Sequence, residues 1–121
     1  MTNKFNFMPN KKDFDCKTYE IIDKKEVALD TFLFRLSGNI KFSPGQFVKV
    51  VLEHFGQAAV AICSNPENQK YFEICVHGCG STTNQLIKLL PGDFVKIRGP
   101  YGNGWSTSKF ICKNILLITG G

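Results

Sequence analysis

The stretch Pro91-Gly92-Asp93-Phe94-Val95-Lys96-Ile97-Arg98-Gly99-Pro100-Tyr101-Gly102-Asn103-Gly104-Trp105 leads, after a polar spacer, to Lys113-Asn114-Ile115-Leu116-Leu117-Ile118-Thr119-Gly120-Gly121, and the two parts hold different kinds of strand. Asp93 to Arg98 lies between the turn signals Pro91-Gly92 and Gly99-Pro100, as a strand of a short-turned antiparallel array does. Ile115 to Ile118 is instead an unbroken apolar run, the pattern of a parallel strand buried on both faces. It runs into Thr119-Gly120-Gly121, the start of a glycine-rich turn of the kind that cradles phosphate. A parallel strand needs neighbours and a crossover helix, and none follow. The last strand is therefore expected to open a second domain of which this sequence holds only the threshold.

The segments upstream of Pro91 extend the antiparallel reading. Cys16 to Val27 mixes Tyr19, Ile21, Ile22 and Val27 with charges. Thr31-Phe32-Leu33-Phe34-Arg35-Leu36 alternates and ends at the turn Ser37-Gly38-Asn39. Ser43-Pro44-Gly45 is a second turn, and Gln46 to Leu52 a strand apolar on both faces. His54-Phe55-Gly56-Gln57 breaks it, with His54 expected at the surface. Ala58 to Cys63 is small and apolar and stops at Ser64-Asn65-Pro66, while Tyr71 to His77 alternates Phe72, Ile74 and Val76 with Glu73, Cys75 and His77. Thr82 or Thr83 is placed to cap a short helix through Leu90, with Leu86, Leu89 and Leu90 on its apolar face. Six short strands with regular turns and one helix predict an all-β fold, a closed antiparallel barrel.

Composition sets the bounds. A chain of 121 residues with 43% hydrophobic content has room for one core and is not of a disordered type. Eleven Phe against one Trp supply core filling and rings able to meet a planar ligand. The net charge of +5 draws on Lys4, Lys11, Lys12, Lys17, Lys24 and Lys25 near the start, a solvated surface in the ordinary case. The five cysteines, Cys16, Cys63, Cys75, Cys79 and Cys112, are odd in number and irregularly spaced. They make neither a disulfide framework nor a closed zinc or iron–sulfur set, and they suit a reducing, cytoplasmic compartment. Residues 1–12 read as a flexible polar lead-in, with no signal peptide, and no run is long enough to span a membrane.

Gly78-Cys79-Gly80-Ser81-Thr82-Thr83-Asn84-Gln85-Leu86 is the most function-like segment. Glycines lead from a strand into a helix whose first turn carries hydroxyls, and free backbone N–H groups there suit a pyrophosphate resting on Thr82 and Thr83. The plain alternative is helix capping. His77, just before this loop, is either a phosphate partner or a surface histidine. Arg98 to Trp105, with three glycines, is either a tight loop with packed aromatics or the border of a flat ring. No Ser-His-Asp or Cys-His signature is present.

Taken together, Pro44-Gly45-Gln46-Phe47, Ile62-Cys63-Ser64, Gly80 to Leu86, Pro91-Gly92-Asp93, Arg98 to Gly104 and Ile115 to Gly121 make the chain resemble the flavin-binding barrel of the ferredoxin–NADP⁺ reductase family. The resemblance is nearest to electron-transfer subunits of anaerobic sulfite reductase, sulfhydrogenase and dihydroorotate dehydrogenase type. It implies a six-stranded antiparallel Greek-key barrel over 13–110, one short capping helix, and residues 111–121 as the first strand of a truncated NAD(P)-binding domain. It further implies FAD across the barrel, NAD(P)H used only in the intact protein, and an iron–sulfur electron-transfer partner, with neither nucleic acid nor membrane involved. By alignment the cofactor-binding positions are Ala58, Ala59, Val60 and Ala61 on the fourth strand, Cys75, Val76 and His77 on the fifth, and Gly80, Thr82 and Thr83 in the helix-end loop. The family's arginine, aromatic ring and serine on the fourth strand are replaced here by Ala58, Val60 and Ala61, and its frequent arginine on the fifth by His77. Loss of a serine hydroxyl removes a hydrogen bond worth about 0.5–1.5 kcal/mol. Two rivals follow from these departures and from the charge: a barrel that has lost flavin and serves as a docking module, and a basic barrel that binds single-stranded nucleic acid or an acidic protein.

Overall fold

The computed structural model describes residues 16–120; the lead-in read at residues 1–12, the barrel residues expected at 13–15 and Gly121 lie outside the described residues. Six strands form, β1 Lys17–Ala28, β2 Thr31–Ser37, β3 Phe47–Leu52, β4 Gly56–Ala61, β5 Tyr71–His77 and β6 Phe94–Tyr101. Helix α1, Ser81–Leu86, lies between β5 and β6, and a 3-10 turn covers Thr107–Phe110. Every pairing is antiparallel, and the sheet order is β4-β3-β6-β1-β2-β5. The insertion of β6 between β3 and β1 is the long return connection of a Greek key.

The sheet curls until its edge strands meet. Ile62 bridges Ile74, and the Cys63 N–H donates to the Glu73 carbonyl at 3.0 Å. The closed barrel expected from the sequence is thus left incompletely closed, because one isolated bridge is all that joins this edge. Beyond it β4 and β5 do not pair with each other, and α1 lies against both. Alternation along the strands fills the interior: Val48 and Val50 of β3, Phe72, Ile74 and Val76 of β5, and Val95 and Ile97 of β6 are buried with Ile21, Phe34, Leu36, Val60 and Leu86. Tyr19 meets Phe72 edge-on at 4.9 Å, a favoured aromatic geometry.

Several boundaries differ from the sequence reading, and β6 runs on through Gly99-Pro100, read as its closing turn, to Tyr101, which pairs with Phe47. The fourth strand begins at Gly56 rather than Ala58, because Gly56 at φ 93° lets the chain reverse tightly enough to pair Gly56 with Leu52. It ends at Ala61 rather than Cys63, because Ile62 bridges Ile74 while its N–H still donates to the Gln46 carbonyl at 3.3 Å, and Cys63 turns to Glu73. The helix ends at Leu86 rather than Leu90. Lys88 and Leu89 bond three residues back instead of four, tightening the turn, and the Leu90 N–H turns to the Asp93 carboxylate at 2.8 Å. Leu90 is 60% exposed, so it is not part of the helix's apolar face. The run Ile115–Ile118 pairs with no strand among the described residues and is exposed, since a parallel strand is stable only between neighbours.

Candidate functional site

The fourth-strand, fifth-strand and helix-end segments singled out in the sequence lie along one seam, bounded by β4, β5 and the start of α1. Contacts of α1 with both strands hold the three together. The helix packs through Leu86, with Ile87 and Leu89 partly buried against the core. On its far side the Lys24 ammonium donates to the Ile87 carbonyl, a favourable cation at a helix C-terminus.

At the head of α1 the cap is Gly80, in extended conformation, and not Thr82 or Thr83. Thr83 sits three residues further in, and its Oγ accepts hydrogen bonds from the N–H groups of Cys79 at 3.0 Å and Gly80 at 2.9 Å. Its hydroxyl therefore shapes the loop. Thr82 Oγ donates to the Phe55 carbonyl at 2.5 Å and ties α1 to the β3–β4 turn. What is left to meet an anion is the set of first-turn backbone N–H groups of Ser81, Thr82 and Thr83, the donors a helix start leaves free.

Along β4, Ala59 and Ala61 are exposed and Ala58 is half-buried, whereas Val60 is 7% exposed and belongs to the core. Along β5, Cys75 and His77 are exposed and Val76 is a core residue. The aligned stretches thus split by alternation: Ala59, Ala61, Cys75 and His77 turn outward, while Val60 and Val76 build the wall behind them. Thr31 Oγ donates to the Leu29 carbonyl at 3.0 Å and lies 2.9 Å from His77 Nδ1. With its proton committed to Leu29, Thr31 receives the Nδ1–H, which leaves Nε2 of the neutral ring an acceptor. Donation to a phosphate from Nε2 then needs the imidazolium.

Cys63 follows the isolated bridge between the two edges of the sheet. Burial, then the neighbouring Cys75, then Glu73 push its thiol up to about 11, and its Sγ donates to the Glu73 carbonyl at 3.4 Å. Both features keep the proton on sulfur at neutral pH. No group of three or more His, Cys, Asp or Glu able to hold a metal occurs among the described residues.

Two motifs that read as separate turns in the sequence are one unit. The Trp105 N–H donates to the Pro44 carbonyl at 2.8 Å, and Gln46 Nε2 donates to the Gly102 carbonyl at 2.7 Å. Gln46 Oε1 also accepts the Ser43 N–H at 2.8 Å. Local sequence carries no sign of this docking, because its partners lie more than fifty residues apart. The aromatic pair Phe47–Tyr101, with centroids 5.7 Å apart, extends it.

The seam suits a flat ring with a phosphorylated tail. Small exposed side chains, Ala59, Ala61 and Cys75, leave backbone and Cβ atoms as a wall for a ring, and the first-turn N–H groups suit a diphosphate.

Residues 18–105 match the model of the oxidoreductase FAD-binding domain. The chain is 36% identical over 110 residues to the sulfhydrogenase 1 gamma subunit of Pyrococcus furiosus, covering 87% of this chain and 36% of that protein. It is 38% identical over 96 residues to a probable dihydroorotate dehydrogenase B (NAD(+)) electron transfer subunit of the same organism, covering 79% and 35%. The chain thus spans about a third of the length of these relatives. Among solved structures, an NADH-dependent reduced ferredoxin-NADP oxidoreductase superposes with a TM-score of 0.64 at 30% identity, covering 73% of this chain and 34% of that one. Phthalate dioxygenase reductase superposes at 0.69 with 17% identity, covering 76% and 32%, and shares the fold. The chain belongs to the oxidoreductase FAD-binding domain family.

Proposed function

We propose that this chain is the flavin-carrying part of an NAD(P)H-linked electron-transfer subunit, passing electrons from a nicotinamide nucleotide by way of FAD to an iron–sulfur partner. The observation that carries the reading is the meeting of β4, β5 and the α1 start at one seam, with a smooth wall beside free N–H donors. The relatives' names, a hydrogenase gamma subunit and an NAD(+)-linked electron transfer subunit, support the wider relay.

When bound, the flavin supplies the exchange between two-electron hydride transfer and single-electron transfer. The chain's part is binding and orientation. First-turn N–H groups of α1 meet one phosphate of the diphosphate, Ala59 and Ala61 let the ring lie close to β4, and His77 adds a donor when protonated. Residues 13–110 form the flavin barrel in this reading, and Ile115–Ile118 supply the first strand of an adjoining nicotinamide-binding unit. The exposed apolar surface of that run supports this assignment. Cysteines left as free thiols support a cytoplasmic setting.

The test is an equilibrium titration with FAD followed by flavin fluorescence. Saturable binding is expected. An unchanged signal up to millimolar FAD would sink the reading and favour the docking module instead.

A further inference from the structure

We propose that Lys49 and Arg98 form an anion site on the outer face of β3 and β6 that takes a phosphate of the bound flavin dinucleotide. The proposal rests on the reading that the chain binds FAD. Strand register sets Arg98 of β6, Lys49 of β3 and Ala59 of β4 in one row across three adjacent strands. Their chain neighbours Val48, Val50, Val60 and Ile97 are buried, so all three residues stand on the outer face.

Two cations directly opposite each other on neighbouring strands repel. The ion pairs among the described residues are Arg35–Glu73 and Lys96–Glu53, so neither Lys49 nor Arg98 is paired with a carboxylate of the described residues. Arg98 Nε is buried without a hydrogen-bond partner, and a desolvated donor left unpaired is costly. Lys49 Nζ rests 5.2 Å from the centre of the Tyr101 ring, a contact that only partly offsets the repulsion. An anion between the two side chains relieves both defects, and a guanidinium beside an ammonium is the donor set that phosphate takes.

Position selects the source of that phosphate. The row ends at Ala59, on the wall of the seam, and a methyl group puts no obstacle between the two cations and a ligand lying across β4. Both cations are half-buried, which suits a compact, multiply charged group more than a broad acidic surface.

The test compares FAD with riboflavin, which shares the ring and lacks phosphate, on the whole chain and on Lys49→Gln, Arg98→Gln and the double variant. Circular dichroism and thermal unfolding check that each is folded, and the Lys49→Gln single variant carries the test where the double does not fold. The expected result is FAD binding weaker by tenfold or more, a shallower salt dependence, unchanged riboflavin binding, and FAD affinity retained by Lys49→Arg. Equal losses for FAD and riboflavin, or unchanged FAD binding in the folded variants, overturn this proposal alone. Failure of the unaltered chain to bind either flavin overturns the parent reading and this proposal with it.

Discussion

Cys63 shows how a single residue takes its chemistry from the fold. In the sequence it is one of five scattered thiols. Folding sets it beside Cys75 and Glu73, where desolvation and those two groups push its thiol up to about 11. The expected outcome is slow alkylation by iodoacetamide near pH 8, with Cys63 labelled after Cys112 although both residues reach the surface. Because the thiolate is the reactive form, the Cys63 rate should climb about tenfold per pH unit on the way to about 11. Peptide mass spectrometry over a pH series reads this, and a rate that levels off below pH 9 would contradict it. Thr83 makes the same point for hydrogen bonds. Its residue type announced a helix start, but only its place three residues inside α1 shows the hydroxyl committed to the Cys79 and Gly80 N–H groups.

At the scale of elements, the loop after β6 and the turn before β3 depend on each other. Gly104 has φ 69°, and a Cβ added there would lie 2.9 Å from the Pro44 carbonyl oxygen. That atom is backbone and already accepts the Trp105 N–H. Gly104→Ala should therefore cost about 1–3 kcal/mol through strain and loss of the docking bond. Gly120→Ala, with open space around its Cβ, is the matched control. Denaturant midpoints compare the two, and equal midpoints would show that the docked loop contributes no stability. The strands were the most legible elements, because alternation such as Phe72, Ile74 and Val76 against Glu73, Cys75 and His77 is itself the signature of a half-buried strand. The helix end was less legible. Leu90 continues the apolar spacing of Leu86, and only the bond from its N–H to Asp93 shows that the chain has already turned away.

For the whole molecule, the core closes within the barrel, while Leu116 and Ile118 are 83% and 87% exposed. The double substitution Leu116→Lys, Ile118→Lys should shift the unfolding free energy by no more than about 0.5 kcal/mol, the usual range for exposed sites. A loss above about 1 kcal/mol, read by thermal or denaturant unfolding, would mean that this segment packs on the barrel. Such exposed apolar runs mark surfaces that a partner covers. By itself the sequence determined the all-β class, six strands, one helix and the three segments that build the seam, because periodicity and turn chemistry are local properties of the chain. Only the tertiary structure decided which residues of those segments face outward, how Thr82 and Thr83 spend their hydroxyls, and that Lys49 and Arg98 stand side by side. Those facts depend on strand register and on contacts between distant residues, and a register shift of one position would turn every side chain to the opposite face.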